Sequence, residues 1–245
     1  MIIIKKKIFY ISVFEGWNGI EKKWLKHLCF CKYSNINSKE KAPFLLLKGN
    51  DTTIETNLAI DTDLIFSKIS KPFRNAIKQA KRMGIDCCFT NNKKDFYIFF
   101  DAFAKQKKLN PTSHKFLDKI GDNLFISVAK HAEIIYATHF YVVDFEASHA
   151  LLYRSASRRV FDKSIMANTI GKANKLLHYE DMLHFKSLGI KTYGFGGYWT
   201  DKETDQLQGI NKFKSSFGGE VAYNLYYQTI PYYLGQLLKK LITRL

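Results

Sequence analysis

A chain of 245 residues has material for one large globular domain or two small ones, and its 46% hydrophobic and 24% charged residues exclude wholesale disorder. Lys and Arg outnumber Asp and Glu by 38 to 22, a net charge of +16 that points to an anionic partner: nucleic acid, a membrane surface or a phosphate-bearing small molecule. Only six of the basic residues are Arg, whose planar fork suits phosphate best, so part of the surplus reads as a Lys-rich background.

The first seven residues place their apolar side chains before their charges, the reverse of a secretory signal, and no stretch approaches the roughly 18 apolar residues of a membrane span. The expectation is a cytoplasmic protein. Cys29, Cys31, Cys87 and Cys88 form a C-x-C and a C-C pair in apolar, strand-like runs without the usual C-x-x-C zinc spacing, which reads as free, mostly buried thiols and no metal site.

In chain order, residues 1–14 and 43–48 read as strands, 34–41 as a loop and 50–53 as a turn. A basic helix is expected over 63–83, with a restart near Pro72 and a stop at Gly84. Phe73, Ile77 and Ala80 make its apolar stripe, while Arg74, Lys78 and Lys81 share another face as a positive ridge or a solvated face. A short strand at 87–90 and helices over 95–109 and 113–120 follow. Segments 123–129, 133–145 and 150–157, rich in β-branched and aromatic residues, read as hairpin-linked strands. After a basic loop, 158–167, comes a long helix capped by Asn168 or Thr169 and stopped by Gly189. A strand at 190–195, a short helix over 207–216, a strand at 220–228 and an amphipathic basic stretch, 234–245, complete the chain. The second half therefore reads β-β-β-loop-α-β-α-β, a mixed α/β layer arrangement.

Common catalytic signatures are absent: no G-x-x-x-x-G-K-S/T phosphate loop, no G-x-S-x-G elbow, no H-E-x-x-H, and His178 and His184 lie about 600° apart around one helix. Attention falls on the start of the long helix, where unpaired N–H groups and the positive dipole end suit a pyrophosphate or simply an ordinary cap. Arg154, Arg158 and Arg159, half of the arginines, precede it, and Gly171 and Lys172 lie in its first turn.

Three segments carry a resemblance. Residues 71–84 contain R-x-x-I-x-x-A-x-x-x-G from Arg74 to Gly84; residues 176–197 run from Leu176-Leu177 to Gly194-Phe195-Gly196-Gly197; and residues 209–220 contain Gly209, Lys212-Phe213-Lys214 and Phe217-Gly218-Gly219. Together they resemble the Fem-type bacterial acyltransferases of the GNAT superfamily of N-acetyltransferases, with Gly194 where that group commonly carries Asp. The resemblance implies an α/β (α+β) fold, a GNAT-like mixed central sheet flanked by helices. It divides the chain into a truncated N-terminal GNAT-like unit with the basic helix (1–90), an acyltransferase domain (91–230) and an amphipathic C-terminal helix (231–245).

What the resemblance implies chemically is attack by a primary amine on an acyl thioester, that of acetyl-CoA or another acyl-CoA, with the oxyanion held by backbone N–H groups where strands 150–157 and 190–195 diverge. The implied acceptor is an amino sugar, nucleotide- or lipid-linked, in bacterial cell-surface polysaccharide synthesis. Asp201 and His178 are the favoured bases and Tyr193 an acid; Arg158, Arg159, Asn168, Thr169, Gly171 and Lys172 would hold the acyl-CoA. Arg74, Lys78, Lys81, Tyr153, Arg154, Gly196, Gly197 and Lys212 would meet a phosphate-bearing acceptor. The Fem likeness also implies an alternative, transfer from an aminoacyl-tRNA to a peptidoglycan precursor; enzymes of that kind are typically longer, which favours the small-molecule reading. A non-enzymatic nucleic-acid-binding module is the third alternative. The C-terminal stretch suits packing on the domain, a homodimer interface, or the inner face of a membrane carrying a lipid-linked acceptor.

Overall fold

The computed structural model describes all residues except 9–10, 24–26, 38–39, 41–44, 110–113, 161, 163–164, 200–204 and 243–245, and only the backbone of 6–8, 11, 114–116, 206, 239–240 and 242. Two compact units result: residues 1–53 with 221–245, and residues 54–220. This partition differs from a division at residue 90, because the basic helix packs on the long helix and belongs with the larger unit.

In the smaller unit, β1 (Ile2–Ile8) and β2 (Ile11–Trp17) form an antiparallel hairpin where one strand was expected. β3 (Phe30–Ile36) runs parallel to β2 and antiparallel to β10 (Glu220–Thr229). β3 takes in the start of the expected 34–41 loop, because Tyr33 and Ile36 are buried with Cys31, Leu225 and Tyr227 in this unit's core. β4 (Leu46–Asn57) runs through the expected 50–53 turn, and its last residues belong to the larger unit. Close to Gly49 lies the Tyr226 ring, where a Cβ would overlap it at 2.2 Å. α7 (Ile230–Ile242) packs on β3, with Gly235 against Phe30.

The larger unit orders its strands β4, β9 (Thr192–Gly197), β8 (His149–Ser157), β7 (Ile134–Asp144), β6 (Leu124–His131), β5 (Asp86–Phe89), with β8 and β9 parallel and β5 to β8 antiparallel. Helices cover both faces. On one, Ala137, Tyr141 and Val143 of β7 meet α5 (Ala167–Ser187), on which α2 (Lys71–Arg82) packs. On the other, Phe140 meets Phe96 of α3 (Lys93–Lys107) at 5.7 Å. Burial on both faces explains why β7 reads as a nearly continuous apolar run. α1 (Thr62–Lys68) ends before Ser70, and Pro72 sits in the first turn of α2, so the expected restart is present. α4 (His114–Ile120) and α6 (Asp205–Ser215) complete the set. Among the described residues no helix is long and apolar enough to cross a membrane, and the four cysteines are free thiols, of which Cys29 is exposed, Cys31 buried, and Cys87 and Cys88 half-buried.

Candidate active site

β8 and β9 pair through three positions only, His149 with Thr192, Ala150 with Tyr193 and Leu151 with Gly194. Beyond them β8 continues to Ser157 and β9 to Gly197, so the two parallel strands diverge after one short contact. That V leaves part of each strand's backbone without the other as partner, in the middle of a sheet where such groups are normally paired. Gly194, where the resembled group commonly carries Asp, lies in this contact; a Cβ there would sit 3.0 Å from His149 Nε2, so His149 occupies the space an Asp side chain would need.

The three segments that carry the resemblance converge beside the V. Phe73 of α2 packs on Phe213 at 5.4 Å and Phe217 at 5.2 Å, and Phe217 packs on Phe195 of β9 at 5.3 Å. Ser70 N–H donates to the Ser216 carbonyl at 2.9 Å, joining the α1–α2 junction to the Phe217-Gly218-Gly219 turn. Lys214 lies at the end of β9. Its ammonium donates to the carbonyls of Gly196, at 3.3 Å, and Gly197, and lies 5.2 Å from the Trp199 ring. Burial lowers its pKa to about 8. Asn211 clasps the Trp199 backbone, accepting from its N–H and donating to its carbonyl. Gly196 and Gly197 thus belong to this end of the site, whereas Lys212, two residues from Lys214 and about 200° around α6, is exposed.

Below the V runs a fully buried polar chain. Tyr193 hydroxyl meets His178 Nδ1 at 2.8 Å and Tyr141 hydroxyl at 2.8 Å, and Tyr141 donates to Asp181 Oδ2 at 2.5 Å. His139 Nδ1 lies 2.7 Å from the same Asp181 oxygen, and its Nε2 lies 3.0 Å from Asn174 Oδ1. Burial, followed by the Asp181 charge, pushes both tyrosines well above their ordinary pKa. Burial, then His139 and Lys214, pushes His178 well below its own, so His178 is a neutral imidazole and both tyrosines keep their protons at neutral pH. His178 and Tyr193 are therefore brought together within the core, His178 Nδ1 against the Tyr193 hydroxyl. Asp201 lies outside the described residues.

The start of α5 differs from the sequence expectation. The helix begins at Ala167 with Met166 as N-cap and no side-chain cap; Asn168, exposed, and Thr169, half-buried, lie inside the first turn. A cap needs its side chain one position before the helix, and the chain enters two residues too early for Asn168 and three too early for Thr169. Gly171 and Lys172 lie in the second turn, where Lys175 donates to the Gly171 carbonyl at 3.2 Å and stands 4.9 Å over the Phe73 ring. Burial and then the Arg159 and Lys172 charges lower the Lys175 pKa. Arg158 is used internally: its guanidinium donates to the Ile135 carbonyl at 2.5 Å and to Asp162 at 3.1 Å, and lies over Phe99. Arg154 is exposed and stacks on Tyr153 at 4.6 Å, on the part of β8 beyond the V contact.

The α2 ridge is largely engaged within the protein. Arg74 donates to the Ser67 and Ile69 carbonyls at the end of α1, Lys81 pairs with Glu180 at 2.7 Å, and Lys78 lies 5.8 Å from the Phe66 ring. A cleft of about 410 Å³ opens elsewhere, between β5 and the C-terminal half of α5, lined by Cys87, Cys88, Glu180, Asp181 and His184. Burial raises the Cys87 thiol, with Asp181 and Glu180 adding to it, so it supplies no thiolate. Among the described residues no cluster suited to a metal ion is present.

Sequence reasoning passed over Lys214, Lys175, His139 and Tyr141, and it weighed Asp181 as a base or a surface residue, whereas the structure buries it. The signal for Lys214 was its place inside the Phe213–Gly219 motif; the link from Tyr193 to Tyr141 had none, because the two lie 52 residues apart.

No protein-family model and no curated protein sequence matches the chain. Its structure is similar to FemX, with a TM-score of 0.68 at 11% identity over 96% of this chain and 85% of that one. It is also similar to L-PGS from Bacillus licheniformis, with a TM-score of 0.59 at 11% identity over 93% and 80%. A C-terminal DUF2156 domain from Agrobacterium fabrum gives 0.59 at 12% identity over 92% and 80%. The resemblance read from three sequence segments thus extends to the fold, which is shared with FemX.

Proposed function

We propose that this chain is an N-acyltransferase that moves an acyl group, acetyl in the simplest case, from acyl-CoA to a primary amine of an amino sugar in bacterial cell-surface polysaccharide synthesis. The observation that carries the proposal is the V between β8 and β9, with Lys214 at one end and the α5 N-terminus following β8. Donors aimed at developing negative charge are what acyl transfer requires of a protein.

The residues present fit the donor. α5 has no side-chain cap, so its leading N–H groups suit a pyrophosphate, with Arg159 in the segment before it and Lys172 and Lys175 in its second and third turns. Bound there, acyl-CoA supplies an activated thioester. Backbone N–H groups of the diverging strands would donate to the oxygen that gains charge as the amine adds to the carbonyl carbon; the C–S bond then breaks, and CoA leaves as its thiol with the proton the amine gives up. Lys214 spends two N–H bonds on the Gly196 and Gly197 carbonyls, which holds its positive charge at the end of β9. Neutral His178 and Tyr193 hold β9 against α5 beneath the reacting groups, as positioning residues. Arg154 and Tyr153, on the diverging part of β8, are suited to an acceptor phosphate or sugar face.

A second reading, aminoacyl transfer from tRNA to a peptidoglycan precursor, is favoured by the likeness to FemX, 85% of which this chain covers; the length difference that set this reading second is therefore small. A thermal-shift screen separates the two, since a ligand of the native state raises the melting temperature. Acetyl-CoA or CoA is expected to raise it, and a nucleotide-linked amino sugar to raise it further. No shift with any CoA species, together with a shift with tRNA, would overturn the first reading.

A further inference from the structure

α7 turns an apolar stripe to solvent. Ile230, Tyr233, Leu234, Leu237, Leu238 and Leu241 recur at helical spacing, and the three leucines 234, 238 and 241 are 52%, 60% and 61% exposed. The opposite side is the one that packs, with Gly235 against Phe30, Tyr232 half-buried, and the Tyr232 N–H donating to Thr229 Oγ1. Six large apolar side chains along four turns, all left outward, form a surface that soluble monomers rarely expose without a partner. The charge of the unit that carries the helix narrows the choice. Residues 1–53 and 221–245 hold 13 basic and four acidic residues, and the terminal stretch 230–245 holds three basic and no acidic ones.

We infer that α7 is a surface anchor that lies in the interface of an anionic phospholipid bilayer, apolar stripe toward the acyl chains. An amphipathic helix with a strong apolar face and cationic surroundings binds at this depth, and an anionic leaflet attracts basic segments. A second copy of this chain is the weaker occupant. A two-fold contact through the stripe would bring together two units that each carry a surplus of nine positive charges, against their mutual repulsion. The inference is independent of the acyl-transfer reading, since it concerns the smaller unit and needs no turnover.

The test is co-sedimentation of the full 245-residue chain with vesicles of phosphatidylglycerol and phosphatidylcholine, against vesicles of phosphatidylcholine alone, at low and high salt. The wild type is expected to pellet with the anionic vesicles, less with the neutral ones, and less at high salt. The triple variant Leu234→Ser, Leu238→Ser, Leu241→Ser is expected to lose binding by at least about tenfold while keeping its melting temperature, because the three side chains are exposed. Equal pelleting of the triple variant would overturn the inference, as would no pelleting of the wild type. Sedimentation velocity without lipid supplies the rival outcome: a wild-type dimer that the triple variant abolishes, with no vesicle binding by either, assigns the stripe to self-association.

Discussion

Gly218 offers a sharp test of how the converging segments are held together. Its backbone lies in the left-handed region at φ +76°, and a Cβ built on it would stand 2.6 Å from both the Cβ and the carbonyl oxygen of Lys68, at the end of α1. Two costs follow for Gly218→Ala. An L-residue in the left-handed region loses about 1–2 kcal/mol, and forcing a methyl into a backbone contact loses about 1–3 kcal/mol more. Together they come to about 2–5 kcal/mol, which for a chain of this size lowers the melting temperature on the order of 10 °C. Gly197 is the control: it has no positive φ and nothing within 4 Å of an added Cβ, so Gly197→Ala is expected within about 0.5 kcal/mol of wild type. Circular dichroism melts of the three proteins, with chemical denaturation to convert the shift to free energy, make the comparison. A Gly218→Ala protein that melts with the wild type, or a Gly197→Ala protein that falls as far, would show that the Phe217-Gly218-Gly219 turn does not meet α1 as described.

Two further outcomes probe the site. Lys214 acts here as a cation and its pKa is lowered to about 8, so it is charged below that pH and loses its proton above it; kcat/KM should fall as pH rises through about 8, Lys214→Arg should move that limb upward, and Lys214→Met should remove most of the rate. A rate that instead climbs through pH 8 and loses that climb in Lys214→Met would make Lys214 a base. For the buried chain, Tyr141→Phe deletes the hydroxyl that donates to Asp181 at 2.5 Å and should cost about 1.5–3 kcal/mol of stability, and its cost should not add to that of Asp181→Asn; additive losses in the double-mutant cycle would separate the two groups.

The amino-acid sequence alone determined the local elements whose signals are local. Pro72 and Gly84 bracket α2, runs rich in β-branched and aromatic residues mark β6 to β8, and the order β-β-β-loop-α-β-α-β carries the mixed sheet. It misjudged β3 and the middle of β4, whose polar residues resemble loop until Tyr33, Ile36 and Ile54 are seen buried by partners far along the chain. Tertiary structure alone decided which charged residues face a site. Lys212 and Lys214 are equivalent on paper, yet their separation of about 200° on a helix sends one to solvent and the other into burial beside Gly196. Arg74, placed by spacing on a binding ridge, instead ties the end of α1, and His178, a candidate base by position, is a neutral partner of Tyr193. Spacing along the chain specifies which face of an element a residue occupies; what that face meets is set by contacts between residues dozens of positions apart, where desolvation and neighbouring charge assign each group its protonation state.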